Sequence, residues 1–282
     1  MSYRLSSSEF DDPEMPALLK RLATYFAGQG IPFYVVGAMA RDMVLGLIHG
    51  RKQSRKTNDL DIAIMIQDWS TYETVSTDLG ADPDFTKSPK QKQRWYFKER
   101  VILDIIPFGE IAKVDKHIYW PPDETPAMSV SGFPAMATAA LELIVDEEVS
   151  VPVASIPGLF VLKLLAWKDR HRETNRDSED IGGILNEYLE INLDRTAQEH
   201  PDIFSLEDFT ILRAGAYLMG RDIHRFLAED LRLREEIRGI LVDELFKREE
   251  SILISQILET HRLRRYDEVR AALALLASAL GG

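Results

Sequence analysis

The sequence predicts an α+β protein in which an N-terminal α/β domain is followed by a helical domain. Two observations support this prediction. Short apolar runs of strand length, bounded by turn residues, occur up to about residue 155, among segments with helical spacing. After Pro157 the apolar residues recur with helical spacing almost to the end of the 282-residue chain. We therefore expect the domains to be residues 1–155 and 156–282.

The N-terminal domain is predicted to begin with a helix and then to alternate strands with helices. Asp11 or Asp12 can cap the first helix, and Pro13 suits its first turn. Apolar runs between turn residues predict the strands, and Asp68 can cap the helix that follows the second strand. The predicted elements are, in order, helix 11–28, strand 33–36, helix 38–48, strand 60–66, helix 68–79, strands 93–98 and 101–106, a loop at 120–126, and strands 141–145 and 149–154.

Apolar stripes with helical spacing make up the second domain. They cover residues 158–169, 178–190, 206–228, 231–247 and 252–279. The spacing predicts helices in these segments, so that almost the whole domain is helical.

Composition limits the classes of function. The chain has 34 Lys and Arg against 46 Asp and Glu, a formal net charge of −12, so any contact with nucleic acid needs a local basic patch. No cysteine is present, which excludes disulfides, thiolate metal sites and cysteine nucleophiles. The N-terminus has no apolar signal-peptide core, and no apolar run approaches the roughly 20 residues that span a bilayer. We expect a cytoplasmic protein without membrane contact.

Three aspartates lie in or at the start of apolar strands. Asp59 and Asp61 open one predicted strand, and Asp104 lies inside another. Alternate residues of a strand share a face, so Asp59 and Asp61 point the same way. If the two strands are neighbours, three carboxylates converge and could hold two Mg²⁺ ions beside a triphosphate, with Asp104 also accepting a proton. Taken alone, Asp104 could instead pair with Arg94 or Arg41.

A turn of small residues stands where the strand 33–36 becomes a helix. Backbone N–H groups at Gly37 and Ala38 could reach phosphate oxygens there, helped by the helix dipole. Many such turns use glycine for geometry alone, so this turn gains weight from its place just before the aspartates. Arg41 could reach a phosphate while Asp42 orients it, or the two could form a surface ion pair.

One lysine interrupts the apolar stripe 158–169. Lys163 could contact a triphosphate, or its stem could lie along the apolar surface with the ammonium in water. Arg170 follows seven residues later and therefore lies on the same helical face. Asp177 and Asp180 begin the next predicted helix, where the dipole favours acids. They could also pair with Lys163 or Arg170 and orient it.

Two basic segments flank the strands that carry the aspartates. They are residues 51–56 and the set Lys87, Lys90, Lys92, Arg94, Lys98 and Arg100. Either could contact a phosphate-rich acceptor such as RNA, and either could be an ordinary solvated segment. The aromatic residues 95–97 are expected to belong to a strand.

The order of these motifs resembles that of known nucleotidyltransferases. A small-residue turn, then Asp59-x-Asp61, then Asp104 is similar to the core of the DNA polymerase β-like nucleotidyltransferase superfamily, which implies a mixed sheet. The superfamily usually has Gly or Ser where Ala38 stands, a mild departure because the backbone N–H groups make the contact.

The segment 36–45 also looks like the head of tRNA CCA-adding enzymes. Their nucleotide-selecting pattern, Glu-Asp-x-x-Arg, is incomplete here because Gly183 stands in place of Arg. The runs 162–170 and 176–181, with the turn 106–109, instead resemble the motifs of AbiEii/AbiGii-type nucleotidyltransferase toxins. The resemblance to the AbiEii/AbiGii-type toxins covers about residues 30–190.

The AbiEii resemblance implies a Mg²⁺-dependent enzyme that transfers a nucleoside monophosphate from an NTP in an abortive-infection or toxin–antitoxin role. The acceptor would be an RNA end, such as that of tRNA, or a protein hydroxyl, and a cognate antitoxin would be a partner. The implied site residues are Asp59, Asp61 and Asp104 at the metals, and Gly37, Ala38, Arg41, Lys163, Arg170, Asp177 and Asp180 at the nucleotide.

Two other functions are compatible with the sequence. The chain could modify a small molecule, as aminoglycoside and lincosamide nucleotidyltransferases do, and the charge of −12 suits a cationic antibiotic. It could also be a non-catalytic nucleotide-binding partner of another protein. The three aspartates argue against the latter, because a non-catalytic module needs no such set.

Overall fold

The computed structural model describes residues 2–51, 57–262 and 264–281. The chain forms two compact units, Met1–Ser155 and Ile156–Gly282. Positions 52–56 of the basic segment 51–56 lie outside the described residues. No described helix is long and apolar enough to cross a membrane.

The first unit is built on an eight-stranded mixed sheet. The strands of this unit are β1 (Ser2–Leu5), β2 (Phe33–Val36), β3 (Asp59–Met65), β4 (Phe85–Lys87), β5 (Arg94–Phe97), β6 (Val101–Phe108), β7 (His117–Tyr119), β8 (Ala127–Ser129), β9 (Leu141–Val145) and β10 (Val149–Val153). Eight of them lie in the order β1-β9-β10-β2-β3-β6-β5-β4, and β7 pairs separately with β8. In the middle of the sheet, strand β3 runs parallel to β6 and antiparallel to β2, so the sheet is mixed.

Helices flank this sheet and are placed by their caps and apolar faces. They are α1 (Glu14–Gln29), α2 (Gly37–Arg41), α3 (Trp69–Ala81) and α4 (Phe133–Thr138). Asp12 accepts a hydrogen bond from the Glu14 amide at 3.0 Å, so it satisfies a donor at the start of α1. Asp68 caps α3 by accepting from the Thr71 amide at 2.8 Å. Helix α2 continues as a π-helical segment, Asp42–Ile48.

The predicted elements of this unit are confirmed, with some differences. The helix expected at 38–48 is only one α-helical turn before the π-helical segment. Strands β1, β4, β7 and β8 and helix α4 were not predicted. Each of these has three to six residues, too few for a periodic pattern to show.

The second unit is all helical in its described residues. Its helices are α5 (Ile156–Arg170), α6 (Arg176–Ile191), α7 (Leu193–Glu199), α8 (Ile211–Phe226), α9 (Leu231–Phe246), α10 (Ile252–Thr260) and α11 (Tyr266–Gly281). Helix α8 packs between α6 and α11, and Leu218, Met219 and Leu276 are fully buried in that contact region. The α+β prediction, a mixed sheet followed by a helical region, is therefore confirmed.

Two of the five predicted helical segments differ from the structure, one because it is shorter and one because it is divided. The segment 206–228 begins its helix only at Ile211, because the Thr210 side chain accepts from the Arg213 amide at 3.2 Å and caps α8 there. The segment 252–279 is two helices, α10 and α11, with a break after Thr260. Helix α7 had no counterpart among the predictions.

Candidate active site

Strand register places the three aspartates on one face of the sheet. Asp61 lies directly opposite Asp104 in the parallel β3–β6 ladder, and Asp59 lies opposite Ile102. Directly opposed residues of neighbouring strands point to the same face, and neighbouring strands are roughly 4.8 Å apart. We call Asp59, Asp61 and Asp104 the aspartate face. The juxtaposition expected for neighbouring strands is therefore present.

Asp104 has an arginine partner on the next strand. Arg94 of β5 lies opposite Asp104 in the antiparallel β5–β6 ladder. Its Nε and Nη2 donate to the two carboxylate oxygens at 2.9 and 2.7 Å. The side chains are 22% and 12% exposed, and hydrogen bonding to Asp104 raises the pKa of Arg94 above its ordinary value. Of the two arginines that the sequence offered as partners, Arg94 forms this pair.

The donor set fits a magnesium ion through two of the three carboxylates. Asp59 and Asp61 present oxygen ligands on one face, and Mg²⁺ is usually held by one or two carboxylates together with substrate phosphates and water. Among the described residues, no three His, Cys, Asp or Glu side chains are grouped as a metal site. Because Arg94 binds both oxygens of Asp104, metal binding by this third carboxylate stays a prediction.

The glycine turn packs against the aspartate face. Gly37 has a φ of +68°, a left-handed conformation that side chains disfavour. A Cβ atom on Gly37 would lie 2.1 Å from Oδ2 of Asp61, so only glycine permits this approach. Ala38 follows in the first turn of α2 and is buried. The small-residue turn and the aspartate strand are thus in direct contact.

Arg41 and Asp42 form a buried pair rather than a surface one. Nε and Nη2 of Arg41 donate to Oδ1 of Asp42 at 2.9 and 2.6 Å. Their side chains are 6% and 17% exposed. Asp42 therefore fixes the orientation of the Arg41 guanidinium, and contact of Arg41 with a phosphate stays a prediction.

The second set of predicted residues assembles within the helical unit. The Lys163 ammonium lies 2.7 Å from Oδ2 of Asp180 and 3.2 Å from Oδ1 of Asp177. Arg170 donates to both oxygens of Asp177 at 2.7 and 2.9 Å. We call these four residues the helical ion cluster. Both aspartate side chains are 1% exposed.

Charge balance in the helical ion cluster favours the ionised form of Asp177. Burial works to raise its pKa, but the hydrogen bond from Arg170 and the charges of Lys163 and Arg170 outweigh burial and hold the pKa below its ordinary value. The ammonium of Lys163 therefore neutralises buried carboxylates in its own unit instead of lying in water. This is the pairing that the sequence offered as one alternative.

Two residues near the aspartate face were not among the predicted site residues. Arg94 lies in one cross-strand row with Asp104 and Asp61. Tyr96 lies opposite Ile102, which itself lies opposite Asp59, so the phenol shares the face of the carboxylates. The alternation of strand 93–98 was the available signal, because the buried Trp95 must point to the other face.

The second basic segment is largely neutralised by carboxylates of the same chain. Four of its six cations form ion pairs, namely Lys92 with Asp123, Arg94 with Asp104, Lys98 with Glu14 and Arg100 with Asp12. A fifth, Lys87, lies over the ring of Trp95, 4.4 Å from its centroid. The segment therefore does not form an uncompensated basic patch.

A cavity of about 510 Å³ lies beside the segment that leads into β3. Its apolar lining includes Met15, Met39 and Met43, and Thr57 and Asn58 reach it just before Asp59. Three carboxylates and one guanidinium complete the polar part of the lining, those of Asp11, Asp12, Asp42 and Arg51. The cavity thus combines adaptable apolar side chains with charged groups, of which Asp42 pairs with Arg41 and Asp12 with Arg100.

Solved structures with a similar course of the chain are distant. An antigenic nucleotidyltransferase-like protein from Paracoccidioides brasiliensis is 18% identical over 71% of this chain and 93% of that one, with a TM-score of 0.41. The antibiotic-resistance factor ANT(2'')-Ia is 13% identical over 67% and 94%, with a TM-score of 0.36. A CCA-adding enzyme is 15% identical over 97% and 84%, with a TM-score of 0.33. Likeness of this degree carries no functional argument.

Family comparison is more informative. A search of curated protein sequences gives no match. Residues 18–272 match the family described as "Nucleotidyl transferase AbiEii toxin, Type IV TA system". The match covers most of the chain, so the chain belongs to the AbiEii nucleotidyltransferase toxin family.

Proposed function

We propose that this AbiEii nucleotidyltransferase moves a nucleoside monophosphate from an NTP to an RNA end, such as that of tRNA, or to a protein hydroxyl, in a Mg²⁺-dependent reaction. The observation that carries the proposal is the aspartate face with the Gly37 turn packed against Asp61. The family description supports a toxin role in a toxin–antitoxin pair. We further propose a cognate antitoxin as partner and the cytoplasm as location.

The reaction requires attack by an acceptor hydroxyl on the α-phosphorus and departure of pyrophosphate. Backbone N–H groups at Gly37 and Ala38 would bind phosphate oxygens, with Arg41 held nearby by Asp42. Asp59 and Asp61 would hold Mg²⁺, which neutralises charge on the α-phosphate and the leaving group. Asp104 would be the third carboxylate and would accept the proton of the attacking hydroxyl.

Lys163 is proposed to contact the β- or γ-phosphate, where its charge would stabilise the departing pyrophosphate. Arg170, Asp177 and Asp180 would then position its ammonium. Support comes from the resemblance of the runs 162–170 and 176–181 to the AbiEii/AbiGii-type motifs. Triphosphate binding by the Lys163→Met variant tests this role, measured under conditions in which the variant is folded. Binding should be weaker than in the unaltered protein.

Label transfer tests the proposed reaction. The protein is incubated with each α-labelled NTP in turn, Mg²⁺ and total RNA, and the products are separated into RNA and protein fractions. Asp61→Asn should abolish transfer while keeping or raising thermal stability, because repulsion between neighbouring carboxylates is relieved. Transfer at the unaltered rate by Asp61→Asn would remove Asp61 from the site. Absence of transfer from every NTP to every acceptor would favour the non-catalytic nucleotide-binding alternative.

A small-molecule acceptor is the second candidate, favoured by the cavity beside Asn58. Its three methionines suit an organic ring system. A cationic acceptor such as an aminoglycoside would match the net charge of −12 of the chain. Transfer of label to an aminoglycoside, with none to RNA or protein, would establish this candidate in place of the first.

A further inference from the structure

The row Arg94–Asp104–Asp61 crosses three neighbouring strands. Asp61 and Asp104 are opposed in register, so their like charges repel unless a cation lies beside them. In this structure the cation beside Asp104 is the Arg94 guanidinium, which binds both carboxylate oxygens. Arg94 and a divalent ion would therefore compete for the same oxygens of Asp104.

The Arg94–Asp104 contact is suited to exchange. Arg94 is 22% exposed and Asp104 is 12% exposed, so the pair borders solvent and is not sealed in the core. A guanidinium binds carboxylates and phosphates through the same two-pronged geometry. A triphosphate carries several negative charges against the single charge of Asp104, so it competes well for Arg94.

We propose that Arg94 changes partner when a nucleotide binds: its guanidinium moves from Asp104 to the triphosphate, and the Asp104 carboxylate becomes available to a divalent cation. This inference rests on the proposed function and assigns Arg94 as a phosphate-binding residue. Without nucleotide, Arg94 keeps Asp104 neutralised. With nucleotide, the third carboxylate is released at the moment when the metal arrives with the triphosphate.

Binding measurements on Arg94→Gln and Asp104→Asn test the exchange without any turnover. Mg²⁺ alone and tripolyphosphate alone, the latter in metal-free buffer, are titrated by calorimetry into each variant. Arg94→Gln should bind Mg²⁺ about fivefold more tightly than the unaltered protein, because Asp104 has lost its competitor. It should bind tripolyphosphate about tenfold more weakly, because a charged hydrogen-bond donor is gone.

Asp104→Asn should show neither of these two changes. Its Mg²⁺ affinity should not exceed that of the unaltered protein, and tripolyphosphate should bind at least as tightly because Arg94 is released. Both variants lose the same ion pair, so a purely structural role would shift both affinities in one direction. A shift in one direction, or unchanged affinities in Arg94→Gln, would overturn the exchange.

Two further variants keep the test decisive. Arg21→Gln removes an arginine that pairs with Asp84 at 2.7 Å in the same unit, and it should leave both affinities unchanged.

Arg94→Lys keeps the positive charge and is used in place of Arg94→Gln if the latter does not fold. It should retain weak Mg²⁺ binding but lose part of the tripolyphosphate affinity, since a lysine cannot bind in two-pronged fashion. Label transfer is scored separately, so failure of the exchange leaves the proposed reaction standing.

Discussion

At the scale of single residues, the candidate site depends on one glycine and on pairs of opposite charge. Gly37 combines a left-handed backbone with close approach of the Asp61 carboxylate. Arg41 and Arg94 are each bound by the carboxylate of a neighbour. The contact with Asp42 fixes the orientation of Arg41 before substrate arrives, which is the structural basis of preorganised binding, whereas Arg94 is proposed to change partner.

Gly37→Ala should damage both stability and transfer. The left-handed backbone costs an alanine about 1–2 kcal/mol, and its Cβ forces Asp61 to move. We expect a loss of unfolding free energy above 2 kcal/mol in urea and no measurable label transfer. Gly30→Ala is the matched control, because Gly30 has a φ of +66° but no atom within 4 Å of its Cβ position. It should lose about 1 kcal/mol and keep transfer; equal behaviour of the two variants would contradict the Asp61 contact.

Lys87 should be an unusually reactive amine at mild pH. Burial lowers its pKa to about 8, although the ring of Trp95 lies 4.4 Å from the ammonium and favours the charged form. Lys20 is the internal control, because its hydrogen bonds to Asp146 and Glu148 raise its pKa. Brief acylation followed by mass spectrometry should label Lys87 first at pH 8. Its rate should level off above about pH 8 while that of Lys20 keeps rising; a tenfold rise per pH unit at Lys87 up to pH 10 would refute this.

At the scale of elements, two helices share one buried charge network. Helix α5 contributes Lys163 and Arg170, and α6 contributes Asp177 and Asp180. A buried ion network of this kind adds little net stability when complete but costs much when one partner is removed. The contact between α5 and α6 therefore depends on its charges as well as on apolar packing.

Lys163→Met should destabilise the helical unit. Methionine retains the apolar stem but leaves two carboxylates at 1% exposure without their ammonium. We expect a loss of about 3 kcal/mol, at the lower end for a broken buried pair because Arg170 still binds Asp177. Lys168→Met on the same helix is the control: its pair with Glu236 is exposed, so the loss should stay below about 1 kcal/mol. Urea denaturation followed by helical circular dichroism distinguishes the two, and equal losses would show that Lys163 is a surface residue in solution.

Periodicity predicted the long helices, but it missed the break in one of them, which distant residues decide. The stripe 252–279 reads as one helix, but the chain turns after Thr260. Nε2 of His261 lies 3.2 Å from the Glu179 carbonyl oxygen, and Nε of Arg264 donates to Oδ1 of Asn186 at 3.0 Å. These contacts with α6 stabilise the turn between α10 and α11. Nothing near residue 261 in the sequence signals these partners.

At the scale of the whole molecule, the aspartates of the candidate site could be identified from the sequence, but the residues that contact them could not. The aspartates could be found in two apolar runs, and strand alternation put Asp59 and Asp61 on one face. The sequence offered two arginines, Arg94 and Arg41, as partners of Asp104. It could not choose between them, because the choice depends on strand pairing. The β5–β6 hairpin settles it, since its turn near Glu99 brings Arg94 opposite Asp104. The units themselves each have their own core, and the roles of residues in the second unit still rest on motif resemblance.

The charge of the whole chain predicts how an RNA acceptor would bind. The net charge is −12, and four of the six cations in the second basic segment pair with carboxylates of the same chain. Few of those cations can release counterions from RNA, so we expect the logarithm of tRNA affinity to fall against the logarithm of salt with a slope of about −2 or shallower. Fluorescence anisotropy between 50 and 300 mM KCl, roughly the range over which such slopes are measured, gives this value. Asp123→Asn provides the matched variant: it releases the half-buried Lys92 from its exposed partner and should steepen the slope by about 0.7–0.9. A slope near −5 in the unaltered protein would mean that RNA lies across a basic surface other than this segment.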